Sequence, residues 1–84
     1  MVDEQIAGPV REFISRSFHG WSHGDGDDIF ALGFANSLFA MQLVAFIEKQ
    51  FRMEVDSDDL DIDNFRSIDA ISRFVERKLA ATTA

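Results

Sequence analysis

The sequence predicts an all-α fold, a small four-helix bundle with three main helices, one short helix and a long first loop. In three segments, residues 2–18, 37–51 and 68–79, apolar residues recur every three or four positions, which is the period of an α-helix. No alternation of apolar and polar residues is long enough to predict a strand. The chain has 84 residues and no Cys, so we expect one domain over residues 1–84 that folds without disulfides.

The first helix is predicted from an apolar series that continues through a proline. That series is Val2, Ile6, Val10, Phe13, Ile14 and Phe18. Pro9 cannot donate a backbone hydrogen bond, so the helix either starts near it or kinks there. Because the period continues on both sides of Pro9, an early start with a kink is expected, and Gly20 is a candidate terminator.

A long connection rich in Gly and Asp follows, over residues 19–34. Its apolar residues are expected to fold back over the bundle, with Trp21 acting as a lid rather than as a ligand-stacking group. His19 and His23 are four residues apart, but the stretch is broken by glycine and offers no third ligand, so no metal site is predicted. The Asp clusters beginning at Asp25 and Asp56 lack the spacing of a calcium loop, although weak surface binding of cations stays open.

The second helix is predicted over residues 37–51, and one side of it forms a core stripe. The stripe consists of Ala40, Leu43, Val44, Ile47 and Phe51. Leu38, Met41 and Ala45 lie on the opposite side with the polar Gln42 and Glu48. They are either scattered surface residues, which are normal, or a strip on which partners dock. Two flanking residues, Phe39 and Phe46, either extend the core or form an exposed patch, and core is expected.

A hydroxyl lies where this helix begins. Either Asn36 or Ser37 can cap the helix by accepting hydrogen bonds from backbone N–H groups of the first turn. The same position suits a covalently attached phosphate, because the free N–H groups and the helix dipole favour an anion by roughly 0.3–1 kcal/mol.

The last third of the chain is predicted to hold a short helix and a long one. Ser57 or Asp58 can cap a short third helix around residues 58–62. Ser67 is expected to cap a final helix with an apolar face. That face consists of Ile68, Ile71, Phe74, Val75 and Leu79. Residues 80–84 are expected to be a frayed tail.

Composition limits the classes of function. The net charge of −7 argues against nucleic acid as a partner and fits an encounter with basic protein surfaces, although acidity also serves solubility. With no long apolar run and no basic leader, neither a membrane span nor a secretory signal is expected, so the predicted location is cytoplasmic.

The sequence shows no catalytic constellation. Ser37 has no neighbouring base, and Phe39 occupies the last Gly position of the Gly-x-Ser-x-Gly elbow. A Gly-x-x-x-x-Gly-Lys phosphate loop is also missing. A non-catalytic protein is therefore predicted.

Several of these residues together resemble the acyl carrier protein family, and the resemblance covers nearly the whole chain. They are Leu32-Gly33, Ser37-Leu38 and the helix end Phe46-Ile47-Glu48-Lys49-Gln50-Phe51. In that family the Ser of a Gly-x-Asp-Ser-Leu turn carries 4′-phosphopantetheine, so the resemblance implies attachment at Ser37. Asn36 stands where the family usually has Asp, and the interval from Gly33 to Ser37 is one residue longer than in the commonest members.

The resemblance further implies a monomeric carrier that holds an acyl group as a thioester. Its partners would be a phosphopantetheinyl transferase, enzymes that load or modify the acyl group, and acyltransferase or synthase modules. The residues implied for docking are Leu38, Met41, Gln42, Ala45 and Glu48.

The run Asn36-Ser37-Leu38-Phe39-Ala40-Met41-Gln42-Leu43-Val44 is similar to freestanding carriers of unusual malonyl-type extender units, such as methoxymalonyl or aminomalonyl, in polyketide assembly. Two other interpretations stay open. One is an aminoacyl or peptidyl carrier, and the other is an unmodified helical interaction domain in which Ser37 is only a cap.

Overall fold

The computed structural model describes residues 3–18, 21–33 and 36–83. The described residues contain four α-helices and no strands, which confirms the predicted small helical bundle. The helices are α1 (Glu4–Ser17), α2 (Ser37–Phe51), α3 (Ile62–Phe65) and α4 (Ile68–Thr83), and a 3-10 turn spans Ser57–Asp59.

Helix α1 starts early, as predicted, and Pro9 lies inside it. The Asp3 side chain caps the helix by accepting a hydrogen bond from the backbone N–H of Gln5 at 2.9 Å. At the other end the helix stops at Ser17, and the N–H of Phe18 donates to the carbonyl oxygen of Ile14. The predicted terminator, Gly20, lies outside the described residues.

The core sits between the three long helices, and each contributes residues with no exposed surface. These are Val10 and Ile14 from α1, Leu43 and Ile47 from α2, and Ile71 and Val75 from α4. The predicted stripe on α2 is thus confirmed at its centre, while Ala40, Val44 and Phe51 are half-buried at its edges. Burial of these side chains supplies the main free energy of folding, at roughly 1.5–3 kcal/mol for each large one.

Phe39 and Phe46 belong to the core, as expected. Phe46 stacks on Phe13 of α1 with ring centroids 4.4 Å apart, and Phe39 contacts Phe18 at 4.6 Å. Trp21 is half-buried and packs beside Phe18, which places it over the bundle as the lid interpretation expects. Aromatic contacts therefore join the start of α2 to the end of α1.

The long first loop is fixed at two points. Ile29 is fully buried, and its N–H donates to the carbonyl oxygen of Arg66 at 2.7 Å. Closer to the start of the loop, the Asp25 carboxylate accepts two hydrogen bonds from Arg11 of α1, at 2.9 and 2.6 Å. The backbone oxygen of Asp25 also accepts from the N–H of Asp69 at the start of α4. The loop is thereby tied to both α1 and α4.

The predicted short helix around residues 58–62 is wrong in position. The structure has a 3-10 turn at Ser57–Asp59, and α3 begins only at Ile62 because Asp61 caps it by accepting from the N–H of Asp63 at 2.9 Å. Leu60 and Ile62, the apolar residues of the predicted helix, are exposed. Phe65, which is 5% exposed and meets Phe74 at 5.2 Å, anchors α3 instead.

Helix α4 is capped by Ser67, as predicted, because its Oγ accepts the N–H of Ala70 at 3.0 Å. The helix continues to Thr83, and fraying of residues 80–84 stays a prediction. Leu79 packs against the core, and Ala80 and Ala81, which follow it, favour helix. Ala84 lies outside the described residues. Of the helices in the described ranges, none has the length and apolarity needed to cross a bilayer.

The tie between Arg11 and Asp25 leads to a prediction about pH. The Arg11 hydrogen bond holds the pKa of the Asp25 carboxyl below its ordinary value of 3.8, against the opposing effect of partial burial. A carboxyl whose pKa is lowered on folding stabilises the fold above its ordinary pKa, and this stability is lost as pH falls through the lowered value. Asp25→Asn should therefore reduce the free energy of unfolding by about 1 kcal/mol at pH 7, the size expected for a partly exposed bidentate pair.

Urea denaturation at pH 7 and at pH 3 measures this effect, with the exposed Asp58→Asn as the matched control. The difference between wild type and Asp25→Asn should shrink toward zero in acid, and the control should change little at either pH. An equal loss at both pH values would contradict the assignment.

Candidate functional site at the start of α2

The turn that leads into α2 is built around Asp28. Its side-chain Oδ1 accepts hydrogen bonds from the N–H groups of Phe30 and Ala31 at 2.9 and 3.0 Å, and its backbone oxygen accepts from Leu32. Gly33 then adopts a φ of +84°, a conformation that favours glycine. Among the described residues, none has an atom within 4 Å of a Cβ added at Gly33, so the backbone conformation is the observed reason for the glycine. Phe34, one of the apolar loop residues expected to fold back over the bundle, lies outside the described residues.

Asn36 is the cap of α2. Its Oδ1 accepts the N–H of Phe39 at 2.9 Å. Ser37 is the first residue of the helix and is exposed. The sequence allowed either residue to be the cap, and the interpretation of Ser37 as the cap is wrong. Ser37 therefore lies exposed at the positive end of a 15-residue helix.

A groove of about 370 Å³ opens beside Ser37. It is lined mainly by apolar residues from the first loop, α2 and the α3 region. The lining residues are Phe30, Asn36, Ser37, Ala40, Leu60, Asp61, Ile62 and Phe65. Asp61 is the titratable residue of this set, and its Oδ1 accepts the N–H of Asp63. The groove can therefore receive an apolar chain that starts from the Ser37 oxygen.

The other serines between residues 21 and 75 are placed differently. Ser67 and Ser72 are buried, and their hydroxyl groups are used within α4 and its cap. Ser22 lies in the first loop, and Ser57 begins a 3-10 turn of three residues. Ser37 is the exposed serine that begins a long helix, which favours it as a point of attachment.

The residues implied for docking share one side of α2, but they differ in how far their side chains are exposed. Leu38 and Met41 are 66% and 73% exposed, and Gln42 and Ala45 beside them are also exposed. Glu48 is half-buried, and its Oε2 accepts the N–H of Val55 at 2.9 Å, so it holds the chain that leaves α2.

Two apolar residues near the site were not found from the sequence. Leu60 and Ile62 are 60% and 49% exposed, and both line the groove. They are two residues apart in an acidic segment, so no helical period marked them. The available signal was that two large apolar residues interrupt a run of carboxylates.

The acidic turn that precedes the groove residues Leu60, Asp61 and Ile62 is paired with a cation. Asp56 and Asp59 both accept hydrogen bonds from Lys78 of α4, at 3.0 and 2.7 Å. The Lys78 hydrogen bond, helped by the backbone N–H of Asp56, holds the pKa of Asp59 below its ordinary value. In the part of the chain that the structure describes, no group of three or more His, Cys, Asp or Glu residues could hold a metal ion.

A comparison with known protein families identifies the family of the chain that carries this helix start and groove. Residues 21–75, more than half of the chain, match the family described as phosphopantetheine attachment site. The chain belongs to this family. It is a carrier protein, and it bears 4′-phosphopantetheine as a covalent group. No curated protein matches the chain with significant similarity.

Membership of this family also indicates the general properties of the carrier. Domains of this family are generally non-catalytic, are modified by a phosphopantetheinyl transferase and interact with synthases or acyl-handling enzymes. The residues present fit the prosthetic group, because an exposed serine hydroxyl lies at a helix start and beside an apolar groove.

The division between cap and hydroxyl gives a prediction about stability. Asn36→Ala should lower the free energy of unfolding by about 1 kcal/mol, because the first turn of α2 loses its side-chain acceptor. Ser37→Ala should change it by less than about 0.5 kcal/mol, as expected for an exposed residue outside such a contact. Urea denaturation of the unmodified carrier measures both. If Ser37→Ala were as destabilising as Asn36→Ala, the cap would be misassigned.

Proposed function

We propose that Ser37 is the residue to which the phosphopantetheine of this carrier is attached. The observation that carries the proposal is the exposed position of Ser37 on the first turn of α2, inside the matched region and next to the groove. A transferase that holds Mg²⁺ would catalyse attack of the Ser37 oxygen on the phosphorus that carries the pantetheine in coenzyme A. The pyrophosphate bond of coenzyme A breaks, adenosine 3′,5′-bisphosphate leaves, and the hydroxyl group loses its proton. The thiol of the attached phosphopantetheine then carries an acyl load as a thioester.

The chain itself contributes position and electrostatics. The first turn of any helix has N–H groups without partners inside the helix, and together with the dipole they stabilise a phosphate by roughly 0.3–1 kcal/mol. Because the Asn36 side chain already accepts the backbone N–H of Phe39, the Ser37 oxygen is not needed to cap the helix. Ala40, Leu60 and Ile62 offer apolar surface to whatever extends from Ser37.

We further propose that the load is an unusual malonyl-type extender unit for polyketide assembly. The support is the similarity of residues 36–44 to freestanding carriers of such units. An aminoacyl or peptidyl load on the same arm is the alternative, and the mass of the loaded carrier from its natural producer distinguishes the two.

Partners are proposed to dock on the exposed side of α2. Leu38 and Met41 offer the largest apolar surface, with Gln42 and Ala45 next to them. A flexible Met can adapt to several partners in turn. The net charge of −7 suits partners with basic surfaces, for which long-range attraction raises the association rate. Glu48 contributes to this surface mainly by fixing the end of α2 through Val55.

Attachment is tested by mass. Unmodified carrier incubated with coenzyme A, Mg²⁺ and a phosphopantetheinyl transferase should gain the mass of one phosphopantetheine, and Ser37→Ala should gain none. Ser57→Ala is the matched control, because Ser57 is also exposed but begins only a 3-10 turn. This control should be modified like wild type. A mass gain in the Ser37→Ala variant would show that another residue is the site.

Docking is tested by kinetics. Met41→Glu replaces an exposed apolar contact with a charge, so kcat/KM of the transferase for the carrier should fall about tenfold, equivalent to about 1.4 kcal/mol. Ser15→Glu adds the same charge on α1, where Ser15 is exposed, and is the control. Equal kcat/KM values for the two variants would exclude Met41 from the docking surface.

A further inference from the structure

The wall of the groove formed by residues 56–64 is held in an unusual way. None of these residues is buried, whereas the chain is anchored beyond them by the buried Phe65. Leu60 and Ile62, which face the groove, are largely exposed. Burial of apolar surface therefore contributes little to the position of this wall, and polar contacts become decisive.

Those polar contacts converge on α4. Lys78 Nζ donates to Asp59 Oδ2 at 2.7 Å and to Asp56 Oδ2 at 3.0 Å, so that one cation holds both ends of the 3-10 turn. Asp59 Oδ2 also accepts the N–H of Asp56 at 3.0 Å. A second link runs through Asn64, whose Oδ1 accepts from Arg77 of α4 at 3.1 Å.

The central pair is more protected than a typical surface ion pair. The side chains of Lys78 and Asp59 are 25% and 21% exposed, and both are oriented by more than one hydrogen bond. Asn64 adds a further bond, since its Nδ2 donates to the backbone oxygen of Asp59 at 2.9 Å. Networks of this kind hold geometry better than isolated surface pairs.

We propose that Lys78 is a positioning residue for the groove beside Ser37. By holding Asp56 and Asp59, it keeps Leu60 and Ile62 at a fixed distance from α2 and so sets the width of the groove. Lys78 lies on α4 and is not among the residues that line the groove, so it acts through the acidic turn.

The inference rests on the proposed function only in assuming that the groove receives the group attached at Ser37. The positioning role of Lys78 is therefore tested on the unmodified carrier. The chain has no Cys, so Met41→Cys and Asp58→Cys introduce two spin-label sites, one on α2 and one on the wall. Pulsed electron spin resonance then measures the distance between them. A single narrow distribution is expected with Lys78 in place, and Lys78→Met should broaden it and shift it to longer distances.

Matched variants separate positioning from a general loss of charge or stability. Arg73→Met removes a cation from an exposed position on the same helix and should leave the distribution narrow. Lys78→Arg keeps the charge and should restore it. Asp59→Asn removes the contact from the other side and should reproduce the effect of Lys78→Met, so that the test does not depend on one variant. If Lys78→Met and Arg73→Met gave the same distribution, the proposal would be overturned.

Amide hydrogen exchange provides a second measurement on the same variants. Lys78→Met should speed exchange within residues 56–64 by about tenfold, because local opening of the wall becomes easier, while the buried part of α1 stays unchanged. Acceleration spread evenly over the whole chain would indicate simple destabilisation and would overturn the positioning role. Neither readout requires modification of Ser37, so a failure of the proposed attachment site would be recognised separately.

Discussion

The hydrogen bond from the Phe39 N–H to the Asn36 side chain fixes the point at which α2 begins, and the position of the proposed attachment residue, Ser37, depends on it. One residue past the cap, the chain already follows the helix, so Ser37 faces solvent and Phe39 turns into the aromatic contacts with α1. A start one residue later would leave Phe39 inside the helix, but it would take Ser37 out of the first turn, where the backbone N–H groups have no partner inside the helix. The capping contact thus decides whether Ser37 lies at the positive end of α2.

The long helices could be predicted because the sequence patterns that determine them lie within each segment. Apolar residues repeated at three and four positions are enough to place α2 over residues 37–51 and to assign Phe39 and Phe46 to the core. Ser67 could be assigned as a cap for the same reason, since it directly precedes an amphipathic run. In these segments, propensity, capping and burial all favour the same structure.

The short helix and the groove could not be predicted, because contacts between distant residues determine them. Helix α3 begins where Asp61 caps it, and it is held because Phe65 meets Phe74 of α4. Several aspartates in the segment could have served as caps, so the local sequence left the choice open. Leu60 and Ile62 show no helical period, and only the folded chain brings them beside Ser37. The identity of the cap, Asn36 rather than Ser37, also depended on backbone geometry.

The separation of the cap from the hydroxyl has a consequence for the life cycle of the carrier. Esterification of the Ser37 oxygen would remove no hydrogen bond that the helix requires, because the neighbouring amide supplies it. Modification would then keep the cap and add the favourable interaction of the phosphate with the helix start, so it should stabilise the fold slightly rather than weaken it. Newly made chains already hold the cap while they wait for the transferase.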